Sequence, residues 1–343
     1  MEKLTVLVTA VGSPIAHGVL KGLKERDDIH IIGTESRAVT AGNALCDTVY
    51  QVPRFKDNVE DYFKTLNDII EKEHVQALFS CYPPEIDLYE EYKNRLSIPF
   101  SLPTSQHYPK LRDKEQAYKW LKEAGLENVI PTYYAFDTSD ELLAIKNKYF
   151  KDHSHVIVKD VSGYAASGFA ILTDRQHFLK AVQNQKNRVY YINDYIEAVP
   201  DTRRIMMEEL EAPEYSVDVY VHAGKTVVAV PRDRAGVSSG LVIEGSVVKE
   251  DRLIKLSTEI AEVFIEDGFI NLQFMKEHGE FKLTDINPRF CGSQVMSLGA
   301  GVNFPSLFLT YQLTDDRPVP KPIWNTRMYR YRETYFHHFN ESK

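Results

Sequence analysis

The stretch FINLQFMKEHGEFKLTDINPR, residues 269–289, decides how this chain is read. Two apolar-rich runs flank a short polar segment containing a glycine, the pattern of two strands joined by a turn. In a strand, residues i and i+2 share a face ~6.6 Å apart. Asp285 and Asn287 therefore project together, and both carry oxygen ligands. If the loop is the three residues Glu277 to Gly279, Gln273 lies opposite Leu283 and diagonal to Asp285, so three oxygen-bearing side chains share a face. A two-residue loop turns Gln273 to the other face. Oxygen donors with open positions suit Mg²⁺ completed by phosphate oxygens. Pro288 ends the strand and releases Arg289 to pair with phosphate.

Upstream, Ile157-Val158-Lys159 reads as a strand, and the loop Gly163-Tyr-Ala-Ala-Ser-Gly168 follows it. Backbone N–H groups in such a loop can approach phosphate oxygens closely, because glycine adds no side chain. Gly224-Lys225-Thr226 looks like the end of a P-loop, but that motif needs a glycine at position 219, which is Val219. The flanks, Ser216 to Val221 and Thr226 to Val230, alternate as two strands, so Gly224 marks a hairpin turn. Arg232 and Arg234 follow that hairpin; they either face a carboxylate or acyl phosphate or lie in a solvated turn. His153 and His155 lack third and fourth metal ligands and read as loop residues. His337 and His338 read as surface, and Cys291 as buried and inert.

At the other end, Leu4 to Thr9 is a continuous apolar run of the kind a buried parallel strand shows. It ends at Gly12-Ser13-Pro14, a turn and helix start, which favours a strand over a signal peptide. Ser13 caps a helix to about Arg26, Ile29 to Gly33 gives a second strand, and a helix over Val59–Lys72 and a strand over Ala77–Ser80 continue the βαβ alternation. A dinucleotide fingerprint requires glycines at 10, 12 and 15; the chain has Ala10, Gly12 and Ile15, although Glu35 lies at the ribose-binding distance. A Rossmann-like scaffold without that cofactor is the better reading. The prolines of Ile98 to Pro103 mark a boundary. Asp113 with Gln116 resembles a capping box opening a helix that Gly125 ends. From Val156 onward strands joined by turns dominate, with helices near Arg175–Gln183 and Arg252–Glu266.

Length and composition bound the rest. With 343 residues, 43% hydrophobic and 26% charged, the chain can bury a sizeable core in two or three domains of ~150 residues. Lys+Arg 41 against Asp+Glu 49 gives −8, which argues against a general affinity for nucleic acid or anionic membrane. No apolar run approaches the ~18 residues of a membrane span. Cys46, Cys81 and Cys291 are far apart with no CxxC, which excludes a disulfide scaffold and fits a reducing cytoplasm.

The D-x-N-P-R string with its preceding Gln resembles the last nucleotide-binding strands of the ATP-grasp superfamily, in its carbamoyl-phosphate-synthetase-like branch. Asp285 stands where Glu is usual, and its shorter arm shifts the metal or draws the strand closer. Other segments fall in the family's order. Lys159 and the Gly163, Ser167, Gly168 loop resemble the phosphate-contacting strand and its flexible flap. Met206-Met207-Glu208-Glu209-Leu210 resembles the adenine hinge, with Glu208 on the adenine amino group and the Leu210 backbone on a ring nitrogen. Glu214 matches the ribose contact and Lys114 an earlier nucleotide-contacting cation. The resemblance runs from about Lys114 to Asn303. It implies an α/β Rossmann-like domain, residues 1–105, followed by a two-lobed α+β ATP-grasp fold: a connecting helix and strand at 106–136, a flexible lid at 137–206, and a catalytic core at 207–343.

What the resemblance implies in function is ATP-dependent ligation of a small carboxylic acid or amino acid to an amine through an acyl phosphate. ATP would be used with two Mg²⁺ ions, for which Mn²⁺ can substitute, held by Gln273, Asp285 and Asn287. Lys159 and Arg289 would be catalytic, with Lys114 also balancing the phosphates, and the lid would exclude water from the hydrolysable intermediate. Full carbamoyl phosphate synthesis uses two such units, and this chain has one. The expected partners are the two small substrates and a second copy in a homodimer, in the cytoplasm. Two rival readings are an NAD-linked oxidoreductase and a non-catalytic ATP-sensing module, the latter motivated by Asp285.

Overall fold

The N-terminal apolar run forms β1 (Leu4–Val8), and Ser13 opens α1 (Pro14–Lys24) by accepting a hydrogen bond from the Ala16 amide at 3.1 Å. Pro14 stands at the first helical position, where no N–H is needed. The structure, a computed structural model, describes residues 3–163, 168–238, 241–331 and 334–336. The chain continues through β2 (Ile29–Glu35), β3 (Thr48–Gln51), α2 (Val59–Lys72), β4 (Ala77–Phe79) and α3 (Pro83–Glu91). All four strands run parallel in the order β3-β2-β1-β4. Val6, Leu7 and Val8 at the sheet centre are wholly buried, which is why β1 reads as an unbroken apolar run. β2 extends two residues past Gly33 to Glu35, and α1 ends at Lys24, two residues before Arg26.

Next come α4 (Tyr108–Leu111) and α5 (Lys114–Glu123), whose cap Asp113 accepts from the Gln116 amide at 2.9 Å. Gly125, at φ +80, supplies the left-handed turn that closes α5. Then follow β5 (Tyr133–Phe136), α6 (Ser139–Tyr149), β6 (His155–Asp160), β7 (Ala170–Thr173), α7 (Arg175–Gln183), β8 (Val189–Tyr191), α8 (Ile192–Ala198) and β9 (Arg204–Met207). Their five strands form one sheet, order β5-β9-β6-β7-β8. One face of it buries Val156, Val158, Leu172 and Met206 against Leu142, Phe150 and Tyr195. That local core makes the segment a lobe with its own packing.

β10 (Glu211–His222) and β11 (Lys225–Asp233) form the hairpin at Gly224. Ala223 and Gly224 have φ of 49 and 71, the paired positive values of a type I′ turn. Lys225 and Thr226 are thus the first residues of a strand rather than a phosphate loop. The remaining elements are β12 (Gly236–Ser238), β13 (Leu241–Ser246), α9 (Asp251–Phe264), β14 (Gly268–Glu277), β15 (Glu280–Asn287), α10 (Val295–Gly299), α11 (Phe304–Leu313) and β16 (Arg327–Tyr329). Two further sheets have the orders β11-β10-β14-β15 and β12-β13-β16.

Contacts divide the chain into two compact units. One comprises Met1–Gln106, Tyr215–Leu272 and Asn287–Lys343; the other comprises His107–Glu214 and Gln273–Ile286. The first is built on the parallel sheet, whose core joins Val6, Val8 and Phe79 to Tyr220, Phe269, Phe290 and Phe308. The second holds the five-stranded sheet, α5 and the tip of the β14–β15 hairpin.

Candidate active site

Lys114 is the first residue of α5, placed there by the Asp113 cap. Its Nζ lies 3.3 Å from Asp285 Oδ1 on β15, with 17% and 35% of the two side chains exposed. Tyr118, one turn along α5, donates its hydroxyl to the Leu283 carbonyl at 2.9 Å, and this bond fixes the helix on β15. Lys159 sits near the end of β6, paired in register with Ile205 of β9. Burial draws its ammonium pKa down; Asp285 pulls it up, Lys114 pushes it down, and Glu214 pulls it up. Lys114, Lys159, Glu214 and Asp285 thus act on one another although they stand far apart in sequence. A pocket beside them is lined by Arg112, Lys114, Tyr118, Gly163, Leu283 and Asp285. Two cations and two carboxylates at a partly buried site can exchange partners when phosphate oxygens arrive.

The loop after β6 begins at Gly163, which lines that pocket, and returns at Gly168; Ser167 lies outside the described residues. Gly168 has φ +68, and a Cβ there would meet the Asp160 carboxylate at 2.1 Å. Arg204 Nε holds that same carboxylate at 2.9 Å. The glycine is therefore required by backbone conformation and by the close passage over Asp160.

Glu208, Glu209 and Leu210 follow β9 directly. Leu210 is buried and Glu209 exposed. Glu208 stands between two imidazoles, with His153 Nε2 at 3.4 Å and His278 Nε2 at 3.8 Å. His153 does lie in a loop, as its spacing suggests, but its neighbour Glu208 could not have been found from sequence distance. His155 opens β6 and contacts Ser154 and the His177 ring. His337 and His338 lie outside the described residues.

The β14–β15 turn is the two residues His278 and Gly279, at φ 51 and 79, not the three-residue loop on which the shared face of Gln273 depended. A His-Gly pair satisfies a type I′ turn without a third residue. Counted from that turn with unbroken alternation, Gln273 stands opposite Thr284. Asp285 and Asn287 keep alternate, half-exposed positions on β15 with buried Ile286 between them. A carboxylate and an amide oxygen on one strand face are the hard donors that Mg²⁺ takes. Among the described residues, no group of three or more His, Cys, Asp and Glu side chains is arranged to hold a metal ion. Asn287 Oδ1 accepts from Arg289 Nη2 at 2.9 Å, and Arg289 Nη1 donates to the Phe290 carbonyl at 3.0 Å. The break at Pro288 thus leaves Arg289 folded back on the strand end.

Arg232 does not lie in a solvated turn. It is wholly buried, with Nη2 2.6 Å from Asp218 Oδ1. Register explains this: Ser216 faces Arg232 across β10 and β11, and Asp218 is two residues along the same face. Asp218 also accepts from Asn271 at 2.9 Å and Ser297 at 2.7 Å. Cys291 is buried and burial pushes its thiol pKa up, against nucleophilic use. In the parallel-sheet domain, Glu35 Oε2 accepts from the Gly12 amide at 3.0 Å and pairs with Arg37 at 3.1 Å. A Cβ on Gly12 would meet Arg37 Nη2 at 2.3 Å, so this pair fills the space over the turn where a dinucleotide would run.

Comparison with known proteins agrees with this geometry. Residues 201–334 match the family model described as ATP-grasp in the biosynthetic pathway with Ter operon. Residues 6–98 match the PylC-like N-terminal domain. No curated protein matches the chain. Among solved structures, N5-carboxyaminoimidazole synthetase from Staphylococcus aureus is similar at a TM-score of 0.63 and 13% identity, covering 94% of this chain and 81% of that one. Biotin carboxylase from Campylobacter jejuni gives 0.65 and 15%, covering 92% and 73%. L-amino acid ligase from Bacillus licheniformis gives 0.60 and 14%, covering 94% and 76%. At such identities the likeness is one of fold. The two family models are matched in order along the chain, and the fold is an ATP-grasp fold preceded by a PylC-like N-terminal domain.

Proposed function

We propose that the chain is an ATP-dependent carboxylate–amine ligase acting on a small carboxylic acid or amino acid through an acyl phosphate. The observation that carries this reading is the Lys114–Asp285 ion pair with Lys159 in electrostatic reach of both. A Lys whose ammonium is disfavoured by burial gains most when a phosphate oxygen pairs with it. In this reading Lys114, Lys159 and Arg289 balance the phosphates, and the amides of the Gly163–Gly168 loop, Ser167 included, approach them. Glu208, Glu209 and Leu210 receive the adenine and Glu214 the ribose. Asp285 and Asn287 would hold Mg²⁺, which when bound neutralises charge on the triphosphate; Gln273, turned to the other face by the two-residue loop, is left out of that set.

The acid's carboxylate oxygen attacks the γ-phosphorus and ADP leaves with the electron pair of the broken bond. The amine then attacks the acyl carbon, phosphate departs, and the amine nitrogen loses a proton. Residues 137–206 serve as a lid that keeps water from the intermediate. Neither step needs a protein nucleophile, in keeping with an inert Cys291. Three free cysteines fit a reducing cytoplasm, and among the described residues no helix is long and apolar enough to cross a membrane. A homodimer is part of the same proposal.

The test is a panel assay of acids and amines. ADP and phosphate appear only when the right acid and amine are both present. Absence of MgATP affinity in calorimetry rejects the ligase reading, whereas ATP binding with no turnover across the panel points to a sensing module.

A further inference from the structure

Asp285, the carboxylate offered to the metal, is already paired. Its Oδ1 lies 3.3 Å from Lys114 Nζ and accepts from the Ile286 amide at 3.2 Å. A divalent cation on Asp285 and the Lys114 ammonium draw on one negative charge and repel each other across it. Lys159 adds a second positive charge within electrostatic reach of the same carboxylate. The backbone of Lys114 has little room to retreat. Asp113 caps the helix by accepting from the Gln116 amide at 2.9 Å, and the Lys114 amide donates to the Val161 carbonyl at 2.8 Å. One turn along, Tyr118 ties the helix to the Leu283 carbonyl at 2.9 Å. What can move is the side chain, a flexible four-carbon stem with a point charge at its end. Lys114 lines the pocket that Gly163 also borders, and 17% of its side chain is exposed there to solvent or ligand. The pocket is the place to which its ammonium can turn.

We propose that the Lys114–Asp285 ion pair is a latch that closes the metal position until phosphate arrives, so that the protein takes metal and nucleotide together and neither well alone. Naming the two ligands rests on the ligase reading; the ion pair is a feature of the fold. Phosphate oxygens entering the pocket offer Lys114 a second anionic partner, and a charge-assisted bond there replaces the one to Asp285. The released carboxylate can then serve a hard cation, whose remaining ligand positions phosphate oxygens help to fill. Linkage makes the effect mutual: the factor by which nucleotide tightens metal binding equals the factor by which metal tightens nucleotide binding. Because the helix is held at its cap, at Val161 and at Leu283, the exchange is a side-chain movement and needs no shift of α5 against β15.

The experiment measures Mn²⁺ binding to the full chain by electron paramagnetic resonance without nucleotide, and ADP binding by calorimetry in EDTA. Lys114→Met removes the ammonium and keeps the bulk of the stem; it is expected to bind Mn²⁺ at least tenfold tighter than wild type. Lys114→Arg keeps the charge and should stay within threefold of wild type, and Lys114→Gln gives the reading if the Met variant does not fold. Asp285→Asn unpairs Lys114 and is expected to bind ADP at least threefold tighter in EDTA, a gain that disappears when Lys114→Met is also present. Mn²⁺ binding no tighter in Lys114→Met and Lys114→Gln than in wild type overturns the latch. So does an Asp285→Asn gain that survives the loss of Lys114, since removal of one negative charge would then account for it. Asp285→Asn titrated with Mn²⁺ in the presence of ADP tests the metal reading separately. Loss of Mn²⁺ binding there keeps Asp285 as a ligand even where the latch fails, and unchanged binding removes that role and the latch with it.

Discussion

Replacing Asp218 by Ala is the sharpest test of how the buried core around Arg232 is held. Its Oδ1 accepts from Arg232 Nη2 at 2.6 Å and Asn271 Nδ2 at 2.9 Å, and its Oδ2 accepts from Ser297 at 2.7 Å. Both members of the ion pair are wholly buried. Burial works against the Arg232 charge, and Asp218 is the group that outweighs it. Asp218→Ala strands that charge and takes the acceptor from the Ser297 hydroxyl, while Asn271 keeps Ser216 and the Val217 carbonyl. Breaking a buried pair costs about 3–5 kcal/mol, so the expected loss is about 4 kcal/mol, roughly a thousandfold in the folding constant. Urea unfolding followed by circular dichroism should show the midpoint falling by about 1 M. The double variant Asp218→Leu with Arg232→Met removes both charges and should recover most of the loss. A single variant that loses less than about 1 kcal/mol, or a double variant no better than the single, refutes the view that an uncompensated charge is what costs stability.

Four further outcomes follow from the geometry. Asp285→Ala should lower kcat/KM for ADP release at least a hundredfold, while Asp285→Glu, which restores the longer arm, keeps turnover; a fully active Ala variant removes the metal role. Glu85, buried beside Thr9, has its carboxyl pushed up to about 7 by burial. Its folded pKa lies above its unfolded one, so the folded state binds more protons between about pH 4.5 and 7 and stability falls across that window by up to about 3 kcal/mol. Glu85→Gln should flatten that limb of the stability–pH curve measured by denaturant titration. Gly168→Ala forces a Cβ against the Asp160 carboxylate at positive φ and should speed limited proteolysis between 160 and 170; an unchanged cleavage rate contradicts the close passage. Arg203 holds Glu115 at 2.9 and 3.0 Å and Asp137 at 2.7 Å. Arg203→Ala should cost no more than about 1 kcal/mol, since the pair is partly solvated. It should nonetheless raise the KM for ATP severalfold, because Glu115 adjoins Lys114; an unchanged KM in steady-state assays counts against this.

The parts of the site legible in the sequence are those fixed by local geometry. Asp285 and Asn287 share a strand side because alternation is a property of the backbone, and Lys114 opens a helix because Asp113 caps it. The Gly224 hairpin follows from turn chemistry in the same way. The β14–β15 loop length was not legible, since Glu277-His278-Gly279 suits a three-residue loop with glycine at its left-handed position as well as the two-residue turn it forms. Without that length the orientation of Gln273 stayed open. Arg232 was less legible still. Counting from Gly224 sets Ser216 opposite Pro231, and only the register shift between Tyr220 and Val221 brings Arg232 opposite Ser216 and diagonal to Asp218; its complete burial then depends on Asn271, Cys291 and Ser297 closing over the pair.

By itself the sequence determined those strands and helices that caps, turns and apolar runs mark, and the oxygen donors on β15, because each depends on residues within a few positions of one another. Tertiary structure alone decided that Lys114 and Lys159 meet Asp285, and that Glu208 stands between His153 and His278. Those encounters join segments distant in the chain, and a charge is set by the groups that surround it in space rather than by its neighbours in sequence.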